Sequence, residues 1–377
     1  MNHVKTSLYI LITWAISLVL VLIFFEVLLR LSKDKWHEAE SLYIIRDNHI
    51  IYKLNDLYPN ELEYVDYIRN FYGLRDKCES PAKIDILTLG GSTTDQRYVS
   101  IEDTYQNILQ DRINSFLKTD ICISNAGIDG HSTYGHLLSF KNWFPLIDGL
   151  NPKIFLFYIG INDSNFLRTV PEYENDTLRT TDYLNLLAQN PSGNNLKNFL
   201  KQFMVTKSLL KIRLMIRSQF PQEVLFAQHT QQNLSDNNYL IENLNPLTKI
   251  YSEKNATEFR IRLRSLLKMV ENYNSKFICV TQPQMFTITK EGRMYGIPNL
   301  IGEGFSGLDF DYSQNELNKV IKEECGLENT LDLYKHKDKL TYQHLYDGLH
   351  TTKIGSKFIG DLMFEELKKN NILNYLN

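Results

Sequence analysis

The chain has 377 residues, room for two average domains or for one large domain carrying an insertion. Its 41 Lys and Arg against 44 Asp and Glu leave a formal net charge of −3, so no overall positive field points to nucleic acid as a partner. Hydrophobic residues at 43% and charged residues at 23% describe a chain that buries a core, which excludes a disordered or purely solvating polypeptide.

From Leu8 to Phe25 the run LYILITWAISLVLVLIFF carries no charge. At about 1.5 Å per helical residue it is long enough to cross a hydrocarbon core about 30 Å thick. The adjoining FFEVLLRLSKDKW offers no small-residue cleavage site, so residues 1–31 are expected to be a single-pass transmembrane anchor rather than a removed signal peptide. Lys5 precedes the run, whereas Arg30, Lys33 and Lys35 come after it, partly offset by Asp34. That count alone leans towards a cytoplasmic body.

Residues 32–82 are polar and aromatic without clean periodicity, and read as a stalk and lead-in segment that packs onto the main domain. That domain spans residues 83–377. IDILTLG (84–90), ICISNAG (121–127), KIFLFYIG (153–160), KFICVTQP (276–283) and a short TLDLY (330–334) are strand-like apolar runs. Helical spacing covers 103–117, 134–147, about 257–272 and 352–369. Apolar strands alternating with helices predict an α/β domain, with a doubly wound parallel sheet covered on both faces. Residues 165–255, rich in Asn, Gln and Leu, interrupt it and read as a helical insertion or cap. Within them, 194–220 carries Lys197, Lys201, Lys207, Lys211, Arg213 and Arg217 and no acidic residue, interleaved with apolar Leu196, Phe199, Leu200, Phe203, Leu210, Leu214 and Met215. This stretch reads as a packed helix with a solvated basic side, as a basic amphipathic helix on anionic lipid, or as a lid over an anionic glycan.

Cys78, Cys122, Cys279 and Cys325 lie far apart with no CxxC, which excludes a zinc ribbon and a disulfide-dense scaffold. Cys122 and Cys279 sit in apolar strand-like runs, where they are expected to pack as free small hydrophobes rather than bridge each other. Asn175, Asn233 and Asn255 each open an Asn-x-Ser/Thr tripeptide, an acceptor only in a suitable host and compartment.

In a parallel sheet, ligands bind at the carboxyl ends of the strands. The first strand ends there in Gly90-Gly91-Ser92-Thr93-Thr94-Asp95, which lacks the GxxxxGK[ST] pattern of a phosphate loop. The second ends in Asn125-Ala126-Gly127-Ile128-Asp129-Gly130-His131, the third in Gly160-Ile161-Asn162-Asp163. Tyr346-Asp347-Gly348-Leu349-His350 precedes the last helix. Singly these are a helix cap, two turns and a structural histidine. Together they put a serine, two candidate oxyanion donors and an Asp-x-x-His at one edge of one sheet.

Those four blocks, in that order, resemble the SGNH/GDSL hydrolases. The likeness covers roughly 83–164 and 276–370, with Gly-Gly-Ser in place of the usual Gly-Asp-Ser. Asn70-Phe71-Tyr72-Gly73-Leu74-Arg75 is also similar to the preamble of members that carry an anchor. The resemblance implies a flavodoxin-like doubly wound fold with Ser92 as nucleophile, His350 as general base and acid, and Asp347 as the orienting and least critical partner. It assigns the oxyanion hole to the backbone N–H groups of Ser92 and Gly130 and to the side-chain amide of Asn162. No G-x-S-x-G elbow and no HExxH is present, and no metal or cofactor is expected.

The expected activity is hydrolysis of an ester, most plausibly O-acetyl on an envelope carbohydrate, by a tethered enzyme whose body lies outside the cytoplasm. Acyl transfer onto a surface glycan with the same residues, or a binding module without turnover, are the alternatives.

Overall fold

The computed structural model of the chain describes residues 2–31, 49–54, 57, 64–70, 72–167, 220, 223–227, 229, 231 and 235–376. Helix α1 runs from Asn2 to Leu31. Its described side chains are Thr13, Trp14 and 16–28, and the apolar ones among them are exposed. Among the described residues no helix is long and apolar enough to cross a membrane; within the expected span from Leu8 to Phe25, the side chains of 8–12 and 15 lie outside the described ones.

Two short strands lie in the segment expected to be a stalk, β1 (His49–Lys53) and β2 (Tyr64–Ile68), paired antiparallel. The main domain then runs β3 (Ile84–Gly90), a helical turn α2 (Ser92–Asp95), α3 (Tyr105–Leu117), β4 (Cys122–Asn125), α4 (Thr133–Leu138) and β5 (Ile154–Tyr158). From the insertion comes β6 (Glu223–Phe226), and then α5 (Thr248–Glu271) and β7 (Lys276–Thr281). A hairpin, β8 (Thr287–Lys290) and β9 (Arg293–Gly296), precedes α6 (Gly307–Cys325), β10 (Thr330–Asp332) and α7 (Lys353–Lys369).

Strands β3, β4, β5, β7 and β10 form one sheet in the order β10-β7-β5-β3-β4, with every pairing parallel. Counted along the chain this is 2-1-3-4-5, the flavodoxin-like doubly wound order. Central β5, Ile154-Phe155-Leu156-Phe157-Tyr158, is buried at every position because helices cover both faces. Its alternate residues serve two cores. Phe155 and Phe157 pack with Phe140, Trp143, Phe259, Leu263 and Leu317 on the side of α4, α5 and α6. Ile154, Leu156 and Tyr158 pack with Leu109, Ile113, Ile359 and Met363 on the side of α3 and α7.

Helix ends obey local chemistry. Thr104 caps α3 by accepting from Asn107 N–H, and Thr352 caps α7 by accepting from Gly355 N–H. Ser306 and Asp309 form a capping box at the start of α6.

Several expectations change. The helix expected over 134–147 is α-helical only to Leu138, becomes a π-turn over Ser139–Trp143 and ends in a 3-10 turn at Phe144–Leu146. Pro145 at the end lacks the N–H that an α-turn needs. The helix expected from about 257 begins at Thr248, inside the range given to the insertion. The insertion is not purely helical where described: β6 pairs parallel with β1, building a second sheet in the order β2-β1-β6. Of the basic stretch 194–220, only Phe220 lies among the described residues.

The cysteines are corrected as well. Cys78 bonds Cys122, and Cys279 bonds Cys325, with Cα–Cα distances of 5.7 and 6.4 Å. Cys122 and Cys279 indeed do not bridge each other, but neither is a free hydrophobe. Asn175 and Asn233 lie outside the described residues. Asn255 sits in α5 with its side-chain amide donating to the Asp163 carbonyl (2.6 Å), so the nitrogen a glycan would occupy is engaged.

Candidate active site

The chain leaves β3 outward to β4 and returns to β5 on the other side of β3, so the carboxyl ends of β3 and β5 open a crevice at the switch point. Ser92 stands at that point. Two glycines bring it there. A Cβ on Gly90 would lie 2.4 Å from the Tyr158 carbonyl, and one on Gly91 would lie 2.2 Å from Asn162 Nδ2. The strand therefore turns flush against β5 only without side chains at these positions.

The loop before α7 brings the partners. His350 Nε2 lies 2.7 Å from Ser92 Oγ, and His350 Nδ1 lies 2.6 Å from Asp347 Oδ2. Asp347 Oδ1 accepts from the backbone N–H of Leu349 (3.0 Å) and of His350 (2.8 Å). Burial works against its charge, but these amides and the His350 ring outweigh it and hold the carboxyl below its ordinary range. An ionised Asp347 is thus matched to an Nδ1–H tautomer of His350, whose Nε2 lone pair faces the serine hydroxyl.

The expected oxyanion residues gather beside Ser92. His131 N–H donates to Ile128 O (3.0 Å), closing a turn whose third residue is Gly130 at φ +77°, a conformation that favours glycine. Asn162 Nδ2 donates to the carbonyl of His131 (2.8 Å), fixing the amide against both this turn and Gly91. Next to it, Asp163 accepts from Thr133 N–H (3.1 Å) and from Arg262 (3.3 Å), anchoring the loop in the core.

Other residues hold this geometry and carry no mark in the sequence. Gln282 donates to Thr93 Oγ1 (2.8 Å) and accepts from Ile161 N–H (2.9 Å), tying the nucleophile turn to the Asn162 loop. Gln96, at φ 47°, donates to Thr351 Oγ1 (2.6 Å), tying the same turn to the histidine loop. The segment between β2 and β3, with Arg69 at its start, also gains a role. Arg75 donates to the carbonyls of Asp95 and Gln96 (both 2.8 Å) and of Val99, while Arg69 donates to Asp95 Oδ1 (2.7 Å) and Gly127 O (2.5 Å).

An open cleft lies beside Ser92, lined among others by Arg97, Tyr98, Asp129, His229 and Tyr346. Arg97 bridges Asp129 (3.1 Å) and Asp95 (3.5 Å). His229 comes from the insertion. No periodicity marks it in the sequence, and only the pairing of β6 with β1 brings it to the cleft.

No family model matches the chain, and no curated protein matches it. Among solved structures it is similar to an acetyl xylan esterase, with 15% identity over 75% of this chain and 98% of that one at a TM-score of 0.39. It is also similar to an acetylxylan esterase from Geobacillus stearothermophilus (12% identity, 75% and 93% covered, TM-score 0.40). A third is a psychrotrophic esterase from Pseudoalteromonas sp. (15%, 75% and 96%, TM-score 0.39). It is the geometry around Ser92, rather than these distant likenesses, that carries a functional reading.

Proposed function

We propose that the chain is a membrane-anchored serine esterase of the SGNH type that removes O-acetyl groups from an envelope carbohydrate. The observation that carries this reading is the unbroken line from Ser92 Oγ through His350 (2.7 Å) to Asp347 (2.6 Å).

A serine hydroxyl is a weak nucleophile at its free pKa and needs an adjacent base. His350 Nε2 takes the Ser92 proton as Oγ attacks the ester carbonyl, and returns it to the sugar oxygen as its bond to the acyl carbon breaks, so that the sugar leaves as an alcohol. Asp347 keeps the imidazole in the productive tautomer and balances the imidazolium. The tetrahedral oxyanion is received by the Ser92 N–H, which as the first amide of a helical turn has no intrahelical acceptor, together with Gly130 N–H and the Asn162 amide. Water then repeats the sequence on the acyl-enzyme with His350 again as base.

The polar rim formed by Arg97 and Asp129 suits sugar hydroxyls. The uncharged run within α1 supports the anchor. Two closed disulfides support a body outside the reducing cytoplasm, against the charge count flanking the anchor. The test is acetate release from an O-acetylated polysaccharide and from 4-nitrophenyl acetate by the full-length protein in detergent. Turnover should vanish in Ser92→Ala; equal turnover in that variant overturns the reading.

A further inference from the structure

His229 belongs to no step above, yet it is built into the cleft. Its ring centroid lies 4.6 Å from that of His350 at an interplanar angle of 37°. Its Nδ1 lies 2.7 Å from Tyr346 Oη, and the Tyr98 ring meets it edge-on at 5.2 Å. With Nδ1 taken by Tyr346, the nitrogen left for a ligand is Nε2. One potential ligand atom from each of His229, Asp347 and His350 lies within 4.8 Å of the other two.

Imidazole nitrogens are donors for zinc and its neighbours, not for magnesium or calcium. The outer contacts suit ligation too. A metal-binding imidazole generally donates its second N–H to an oxygen that fixes its orientation. Asp347 already receives Nδ1–H of His350, and Tyr346 Oη stands where it would receive Nδ1–H of His229.

We propose that His229 and His350, backed by Asp347, form a binding site for a divalent transition metal of the zinc type, and that its occupancy blocks the esterase. The ion competes with Ser92 Oγ for His350 Nε2, so the serine loses its base while the metal is bound. Binding stands on the histidines alone; the inhibitory consequence rests on the esterase reading.

Calorimetric titration of the full-length protein in detergent with ZnCl2, and with MgCl2 as control, tests the site directly. One zinc ion and no magnesium should bind per chain. His229→Phe keeps the ring and removes its nitrogens, and should weaken zinc at least about tenfold. His350→Asn should do the same, so the result does not hang on one variant. No zinc uptake by the wild type, or wild-type affinity in His229→Phe, overturns the proposal. Zinc should also protect Ser92 from fluorophosphonate; zinc bound with undiminished labelling overturns the inhibitory role. Should the wild type prove inert to fluorophosphonate, the esterase reading fails while calorimetry still decides the metal site.

Discussion

Gly91 and Asn162 share one space: a Cβ on residue 91 would lie 2.2 Å from Asn162 Nδ2. Gly91 is thus coupled to the residue proposed as oxyanion donor. Gly91→Ala should displace the Asn162 amide and lower kcat by about 100- to 1,000-fold, as loss of one oxyanion donor does. Asn162→Asp should cost a similar factor with the far-UV spectrum unchanged. Combining the two should add little, since both remove one interaction. A wild-type kcat in Asn162→Asp removes that residue from the oxyanion hole.

Arg75, 2% exposed, holds the carbonyls of Asp95, Gln96 and Val99 just beyond the nucleophile. Arg75→Met should leave the buried carbonyls of Asp95 and Val99 unsatisfied, while Gln96 O keeps the Val99 N–H (3.0 Å), and should destabilise the fold by at least about 2 kcal/mol. Urea unfolding measures this. The turn that carries Ser92 should loosen with it, so kcat should fall even under conditions where the variant is folded.

Much of the site was legible because it sits just past short apolar strands. Ser92, Gly130 and Asn162 each come a few residues after β3, β4 and β5, and a parallel sheet delivers such positions to one edge. His229 was not legible, because it reaches the cleft through a strand pairing between distant segments. The lead-in strands were hidden for a different reason. Tyr64-Val65-Asp66-Tyr67-Ile68 alternates in burial, but Tyr64 and Ile68 are apolar on its exposed side, which masks the period of two. Helix α6 does carry a local signal at its start, the Ser306-x-x-Asp309 capping box. Cysteine pairing depends on which elements the topology sets side by side. The apolar context of Cys279 carries no information about the end of α6.

Asp95 gives the fold an acid-sensitive point. Burial opposes its charge, but Arg69, Arg97 and the Tyr67 hydroxyl outweigh it and hold the carboxyl below its ordinary range. A depressed pKa contributes stability above the unfolded value of about 3.9, and that stability is lost as pH falls through the folded value. The wild type should therefore lose stability below about pH 4. Asp95→Asn should be weaker by about 3–5 kcal/mol at pH 7, with Arg69 left buried and short of its partner, and should show a shallower acid limb. Parallel stability curves from pH 7 to 3 would count against this role.

The disulfides Cys78–Cys122 and Cys279–Cys325 close separations of 44 and 46 residues. By the chain-entropy relation, each contributes about 4 kcal/mol. Replacing Cys279 and Cys325 together by Ser should lower the unfolding free energy by about that amount. Thiol titration of denatured protein purified without reductant should find no free thiol. Reactive thiols in unreduced material contradict both the pairing and the placement outside the cytoplasm.

The central claim is that Ser92 is a nucleophile activated by His350, and intact-mass analysis after fluorophosphonate treatment reaches it most directly. The full-length wild type should gain a single adduct, and Ser92→Ala none. His350→Asn should label far more slowly, because the hydroxyl then lacks its base. A folded wild type that gains no adduct, or an adduct that persists in Ser92→Ala, contradicts the account.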